Sequence, residues 1–274
     1  MTLQRVEVRT DSGALLQLPF QDISEGYAIQ DIAGLDPVKA TLVSSSFAQI
    51  DGAQFQSSKR EARNLVFKIS YEPDYVDSSI ATLRKRLVSF FKTESRVSLR
   101  FVMAGGLSVD IVGIVESYDG PRFVQEVITT ISVMCFNPDF VDPVPVVIPG
   151  LSTATSDEMV VDYVGSVESG FVFTLNVNRA INEFTIYHRP EDNVFRSMPF
   201  SYPLLAGDVV TISTVSGAKG ATVLRGGTLR SVLYGISPFA PWINMFPGDN
   251  AIRVYAEGAP IPYSIKYTTK YGEI

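Results

Sequence analysis

The sequence has one cysteine, one histidine and one tryptophan in 274 residues. A single cysteine, Cys135, cannot form a disulfide within the chain, which excludes the framework of a small secreted protein. Cys135 lies in an apolar run of strand character, so we predict an inert core thiol. With His188 as the only histidine, zinc sites built from several His or Cys residues are excluded. A Ser–His or Cys–His nucleophile would rest on a single residue.

Basic residues are also in short supply, since 23 Lys and Arg face 29 Asp and Glu, a formal net charge of −6. Proteins that grip nucleic acid gain their affinity from Lys and Arg, so this balance speaks against that class. It leaves open the guiding of DNA through a pore. No run approaches the ~18 apolar residues of a membrane span, and the start lacks the apolar stretch of a signal peptide. We expect synthesis in a cytoplasm and no stable membrane insertion.

Strand patterns dominate what is present. Hydrophobic residues make up 46% of the chain, and short Val, Ile, Phe, Tyr and Thr runs are separated by Gly, Pro, Asn and Asp. A helical period occurs from Asp77 to Lys92, where the apolar stripe consists of Val76, Ile80, Leu83, Leu87 and Phe91. Arg84, Lys85 and Arg86 fall mostly off this stripe and are interpreted as solvated charge or subunit salt bridges rather than phosphate contacts. The sequence predicts a mainly β protein with one amphipathic helix on a sheet.

A proline-rich stretch marks the clearest domain boundary. Four prolines between Asn137 and Gly150 remove ladder donors and favour extended backbone. At roughly 100 to 200 residues per domain, the length favours two domains. We predict a first domain over residues 1–138, a linker over 139–150 and a second all-β domain over 151–274, with the option that the last strands pack back on the first domain.

Acidic pairs and one glycine-rich segment are the remaining candidates for chemistry. The pairs Asp157-Glu158 and Glu191-Asp192 suggest a glycosidase, but adjacent residues of a strand point to opposite faces and cannot flank one bond. Asp139 and Asp142 would form an incomplete calcium shell. The segment 217–220 is too short for a phosphate-binding loop. We therefore expect no catalytic residue, no cofactor-binding residue and no metal site.

An alternative function, the binding of carbohydrate, depends on Trp242. An exposed tryptophan with tyrosine neighbours could stack on a sugar, as in carbohydrate-binding β-sandwiches, whereas a core position would pack it between sheets. The flanking Pro241 and Ile243 favour the core position. A carbohydrate-binding or adhesin module with a lectin-like domain remains the alternative, with Trp242 as its candidate stacking residue.

The stretch from Ala40 to Ser58 holds a single charge, Asp51. It reads as two extended arms that meet at Asp51-Gly52, rich in Ser and Gln. Such a hairpin buries too little apolar surface to be stable alone, so we predict that it packs against a neighbouring subunit. The alternative is that this segment is a mobile surface loop. The candidate residues of the subunit interface or lumen are Phe47, Ile50, Asp51, Gly52 and Phe55.

Several short motifs, in order along the chain, resemble one family. They are Ile32-Ala33-Gly34-Leu35-Asp36-Pro37, Asp51-Gly52, the strand entry Lys59 to Phe67, Phe136-Asn137-Pro138, Phe246-Pro247-Gly248-Asp249-Asn250-Ala251-Ile252 and the Tyr-rich ending from Ile265 to Gly272. Together with the predicted helix, this order is similar to that of the distal tail proteins of long-tailed, siphovirus-type phages.

The resemblance implies a structural hub of the tail tip, located in the virion. Its N-terminal domain would be a β-sandwich with one helix and a projecting hairpin, similar to tail tube proteins, and would form a ring around the DNA channel. Its C-terminal domain would be a galectin-like β-sandwich at the periphery. The implied partners are further copies of the chain in a homohexameric ring, the tail tube protein, a tail-tip hub or tape-measure protein, and in some phages a receptor-binding or side-fibre protein. Passing DNA would not be bound specifically.

Overall fold

The computed structural model describes residues 2–20, 22–48, 51–121 and 127–274. The chain divides into two compact units. The first consists of Met1–Pro143 with Gly272–Ile274, and the second of Val144–Tyr271.

The first unit contains one long antiparallel sheet, a helix and a separate two-stranded hairpin. The elements of this unit are β1 (Leu3–Thr10), β2 (Leu15–Pro19), β3 (Tyr27–Ala33), β4 (Ala40–Ser45), β5 (Gln54–Arg60), β6 (Arg63–Tyr71), α1 (Ile80–Phe90), β7 (Arg96–Met103), β8 (Ser108–Asp119), β9 (Ile128–Cys135) and β10 (Phe140–Val141). The strand order is β2-β1-β7-β8-β9-β6-β3, and β10 pairs with β8. The two ends of this order, β2 and β3, contact each other, so the sheet curves around its core.

Period-two alternation builds this core, because successive side chains of a strand point to opposite faces. In β6 the buried residues Leu65, Phe67 and Ile69 alternate with more exposed ones. The helix α1 adds Leu83 and Leu87 to the buried set and contacts β1 and β6. The mainly β class, the helix on a sheet and the projecting hairpin are confirmed.

The helix is shorter than the predicted segment from Asp77 to Lys92. The Asp74 carboxylate accepts hydrogen bonds from the backbone N–H groups of Val76, Asp77 and Ser78, which holds these residues in a turn. Ser79 is therefore the N-cap, and its hydroxyl accepts a hydrogen bond from the N–H of Thr82. Val76 consequently lies outside the apolar stripe, exposed to solvent.

The second unit is built from two antiparallel sheets. Its elements are β11 (Val146–Leu151), β12 (Met159–Tyr163), β13 (Ser169–Asn176), β14 (Ile181–Pro190), β15 (Arg196–Leu204), β16 (Val209–Ser213), β17 (Gly220–Arg225), β18 (Thr228–Ser231), a 3-10 turn (Leu233–Gly235), β19 (Asn244–Met245), β20 (Gly248–Tyr255), β21 (Pro262–Tyr267) and β22 (Lys270–Tyr271). One sheet has the order β11-β21-β13-β16-β17-β18, with β19 beside β13, and the other has the order β12-β20-β14-β15. Inward-facing side chains of both sheets form one hydrophobic cluster that includes Phe173, Phe184 and Ile212.

Part of the proline-rich stretch 139–150 is strand. Phe140–Val141 pairs with β8, and Val146–Leu151 pairs along its length with β21. Pro149 is compatible with this pairing because β11 ends its sheet, and a missing N–H is tolerated on an edge strand. The division into a first domain (1–138), a linker (139–150) and a second domain (151–274) stays a prediction.

Cys135 is fully buried in the first unit, and burial raises the pKa of its thiol to about 12. A thiol with that pKa is protonated at neutral pH and unreactive. Among the described residues, no helix is long and apolar enough to cross a membrane.

Candidate subunit interface

The charge-poor hairpin forms a two-stranded sheet of its own. Among the described residues β4 pairs only with β5, from Ala40 opposite Arg60 to Ser45 opposite Gln54. Every residue of β5 is exposed. A two-stranded ribbon without a covering layer is marginally stable in water, so its base must hold it in place.

Large apolar side chains of this hairpin lie in solvent. Leu42 is 67% exposed, Phe47 56% and Phe55 63%. Asp51 and Gly52 lie in the bend before β5, where Gly52 adopts a φ of +98° that favours glycine. Ile50, the fifth predicted interface residue, lies outside the described residues. The hairpin therefore exposes apolar surface, and the assignment of Phe47, Ile50, Asp51, Gly52 and Phe55 to an interface or lumen stays a prediction.

Charged groups anchor the base of the hairpin. The Arg60 guanidinium makes a bidentate ion pair with the buried Asp139, at 2.6 Å from Nη1 to Oδ1 and 3.2 Å from Nη2 to Oδ2. The Thr41 hydroxyl donates a hydrogen bond of 2.6 Å to Glu61. Asp139 is thus a structural partner of Arg60 at the base of the hairpin.

Arg63 lies near this base, is fully buried and forms a network of hydrogen bonds. Its guanidinium donates hydrogen bonds to the carbonyl oxygens of Pro138 at 2.7 Å, Asp36 at 2.8 Å, Gly272 at 2.5 Å and Gly34. Burial lowers the pKa of the guanidinium, although arginine stays charged in proteins. Carbonyl oxygens replace the water that this cation gives up.

Two further contacts complete the Arg63 site. The guanidinium carbon lies 4.4 Å from the ring centroid of Phe140, in cation–π geometry. Gly34 has a φ of +93°, and a Cβ there would lie 2.1 Å from the carbonyl oxygen of Asn64, so only glycine fits. Gly34, Asp36 and Pro138 belong to the motifs that carried the family resemblance, and Arg63 brings them together.

Arg63 is not among the functional residues predicted from the sequence. A signal exists in hindsight, because Arg63 stands in phase with the inward residues Leu65, Phe67 and Ile69 of β6. A charged residue at an inward strand position requires buried partners.

Trp242 lies in the second unit, half-buried against the hydrophobic cluster. The Lys219 ammonium lies 5.6 Å from the centroid of its ring. Packing against the core and a cation over the ring leave less free aromatic surface than a stacking platform offers. The core position of Trp242 stays a prediction, with glycan stacking as its alternative.

His188 is fully buried in the second unit. Its Nε2 lies 2.9 Å from the Asn250 side-chain oxygen, which also accepts the backbone N–H of Phe246. The Asn250 amide group donates to the carbonyls of Phe246 and Gly248, so the asparagine oxygen is the acceptor and His188 the donor. The Nδ1 atom has no hydrogen-bond partner among the described residues. This geometry is that of a core histidine.

The other candidate side chains form hydrogen bonds or ion pairs within the fold. Arg84 donates to the carbonyl of Gly120, and Arg86 pairs with Glu25 at 2.9 Å. Glu158 pairs with Arg189 at 2.5 Å, and the part of the chain that is described holds no cluster of three or more metal-ligating side chains.

Comparison with known proteins identifies the second half of the chain. Residues 164–271 match the family model of the siphovirus-type tail component, C-terminal domain. No curated protein sequence matches the chain.

One solved structure shares the fold over nearly the whole length of the chain. The SPP1 Dit protein, from a phage that infects Gram-positive bacteria, is 14% identical, with a TM-score of 0.68 over 97% of this chain and 98% of that one. A chain of the phage P2 baseplate in its activated conformation with Ca is 8% identical, with a TM-score of 0.48 over 100% of both chains. The resemblance to distal tail proteins is thus confirmed by the family model over residues 164–271, and the chain shares its fold with SPP1 Dit over nearly its whole length. Over residues 164–271, the chain carries the C-terminal domain of the siphovirus-type tail component family.

Proposed function

We propose that this chain is a structural hub of a phage tail tip. In this role its first domain forms a closed ring that joins the tail tube to the tip or baseplate proteins and leaves a channel for DNA. The observation that carries the proposal is the match of residues 164–271 to the siphovirus-type tail component. SPP1 Dit, which shares the fold, is described as a paradigm of the hub adsorption apparatus in phages that infect Gram-positive bacteria.

The hairpin supports the ring. Its backbone edges and the exposed side chains of Leu42, Phe47 and Phe55 are what a neighbouring copy would cover. A hairpin that contacts a different surface of the next copy makes a head-to-tail interface, and such an interface generates a ring when the rotation between copies closes. We expect six copies, with the tail tube protein and a tail-tip hub or tape-measure protein on either side.

The charge balance supports a channel that does not bind the DNA passing through it. A net charge of −6 gives the polyanion little to bind, so DNA passes without specific contacts. The second domain then serves as a peripheral platform for a receptor-binding or side-fibre protein. This role is structural rather than catalytic.

The mass of the purified chain in solution tests the ring. We expect a closed oligomer of six copies by analytical ultracentrifugation at high concentration. Full burial of one Phe contributes about 1.5–3 kcal/mol. Because Phe47 and Phe55 are 56% and 63% exposed, replacing both by Ser removes about 2–3 kcal/mol from each contact. That loss weakens association about 100-fold.

The matched control is Val76→Ser, which removes an exposed apolar side chain elsewhere in the first unit and should leave the oligomer intact. A chain that stays monomeric at high concentration and has no ring neighbours in the tail would contradict the proposal. Equal association of the hairpin variant and the control would remove the hairpin from the interface.

A further inference from the structure

We infer that β18, the last strand of the larger sheet in the second unit, binds an extended segment of a partner protein by strand addition. The segment carries apolar side chains on one face and acidic side chains on the other. This inference rests on the proposed function, in which the second domain is a docking platform, and names where and how the partner is held.

The backbone of β18 is open on one side. β18 ends the strand order and pairs only with β17 among the described residues. The two strands are joined by Gly226-Gly227, both with positive φ, which is the geometry of a tight two-residue hairpin. Thr228, opposite Arg225, therefore closes the hairpin with backbone hydrogen bonds to β17.

Hydrogen-bonded and non-hydrogen-bonded pairs alternate along an antiparallel ladder. Leu229 opposite Leu224 is then a non-hydrogen-bonded pair, and so is Ser231 opposite Thr222. The N–H of Val232 donates to the carbonyl of Ala221 at 2.9 Å, in agreement with this alternation. The N–H and C=O groups of Leu229 and Ser231 therefore point away from β17 toward the open edge.

The edge carries little of the usual protection against pairing. Proteins blunt their edge strands with proline, charged side chains, bulges, short length or a covering segment. β18 is short and carries one charge, Arg230, which selects among partners instead of excluding all of them. At the opposite end of the same sheet, β11 contains Pro149. All four residues of β18, Thr228 to Ser231, are exposed, and none is Pro or Lys. The geometry thus leaves two donors and two acceptors ready for one extended strand.

The side chains of β18 select the partner's chemistry. Leu229 is 65% exposed and lies opposite the exposed Leu224, which forms an apolar strip on one face. Arg230 points to the other face and has no ion pair among the described residues. By contrast, Arg225 on the neighbouring strand is paired with Asp208 at 2.6 Å. An incoming strand satisfies both faces when it alternates apolar and acidic residues.

A second copy of β18 fits this edge poorly. Antiparallel self-pairing that uses both outward-facing residues places Leu229 of one copy opposite Ser231 of the other. In that register the two Arg230 side chains lie directly opposite each other, and like charges in that position are destabilising. The charge of Arg230 therefore favours an acidic partner strand over self-association.

Two synthetic peptides of about ten residues serve as probes for the full chain. In one, Val alternates with Glu, and in the other, Val alternates with Lys. We expect the Val-Glu peptide to bind about tenfold more tightly and to slow amide hydrogen exchange at Leu229 and Ser231. Arg230→Glu should reverse the preference.

Ser231 offers a matched pair of variants. Ser231→Pro removes only an outward N–H, which an edge strand tolerates, and should abolish peptide binding with an unchanged melting temperature. Ser231→Ala keeps the N–H and should bind as the wild type does.

Three results would overturn the inference: neither peptide protects the two amides, the Pro and Ala variants bind equally, or the chain dimerises through this edge without binding peptide. The mass of the oligomer reports separately on the proposed function. A ring that persists in Ser231→Pro while peptide binding is lost supports both. Peptide binding by a chain that never forms a ring supports the edge site and contradicts the hub.

Discussion

His188 combines complete burial with one ring nitrogen that has no partner among the described residues. Burial is the main cause that lowers the pKa of this imidazole below its ordinary value of 6.5; Arg196 lowers it further, and the Asn250 hydrogen bond opposes the shift. Protonation would place a charged N–H at Nδ1 with no acceptor. The folded chain therefore binds this proton less readily than the unfolded chain.

Because the folded pKa is depressed, the second unit should lose stability as the pH falls below about 6.5, until the folded pKa is reached. The free energy of unfolding should decrease by up to about 1.4 kcal/mol per pH unit in that window. Trp242 is the only tryptophan and lies in the second unit, so its fluorescence in urea reports on this unit. His188→Leu should have a flatter pH dependence. An identical slope in both proteins would show that another group causes the acid sensitivity.

At the scale of elements, the hairpin of β4 and β5 depends on a base made by distant parts of the chain. The single side chain of Arg63 contacts the turn at Gly34 and Asp36, the segment at Pro138 and the carbonyl of Gly272. Removal of a buried hydrogen-bonded charge leaves its carbonyl partners without a donor. The base and the hairpin should therefore loosen together.

Arg63→Met should lower the free energy of unfolding of the first unit by about 3–5 kcal/mol. Amide hydrogen exchange of β6 measures the loss in this unit. Lys59→Met, an exposed position of β5, is the control and should change stability by less than about 0.5 kcal/mol. If the two variants exchanged alike, the Arg63 network would have no net stabilising role.

At the scale of the whole molecule, the chain consists of two compact units whose first boundary falls at Pro143 and Val144. The pairing of Val146–Leu151 with β21 protects the second half of the predicted linker. We expect limited proteolysis to cut first near the exposed Val144 and to yield two resistant pieces on a denaturing gel. Scattered cleavage with residues 139–150 intact would contradict a separable boundary.

Local patterns predicted the mainly β class, the helix near residue 80 and the charge-poor hairpin, because each depends on periodicity, turn residues or charge within a short window. The short motifs also determined the family resemblance. Local patterns extend over a few residues, so they could not specify that the helix begins after the N-cap Ser79 rather than at Asp77. The turn around Asp74 determines this start.

The roles of single residues such as Arg63 and His188 emerge from contacts between distant parts of the chain. Arg63 and Gly272 are 209 positions apart, and His188 and Asn250 are 62 apart. Contacts at such separations follow from how sheets curve and pack, which no window of sequence contains. The open edge of β18 is of the same kind, because a strand becomes an edge only when the order of the whole sheet is known.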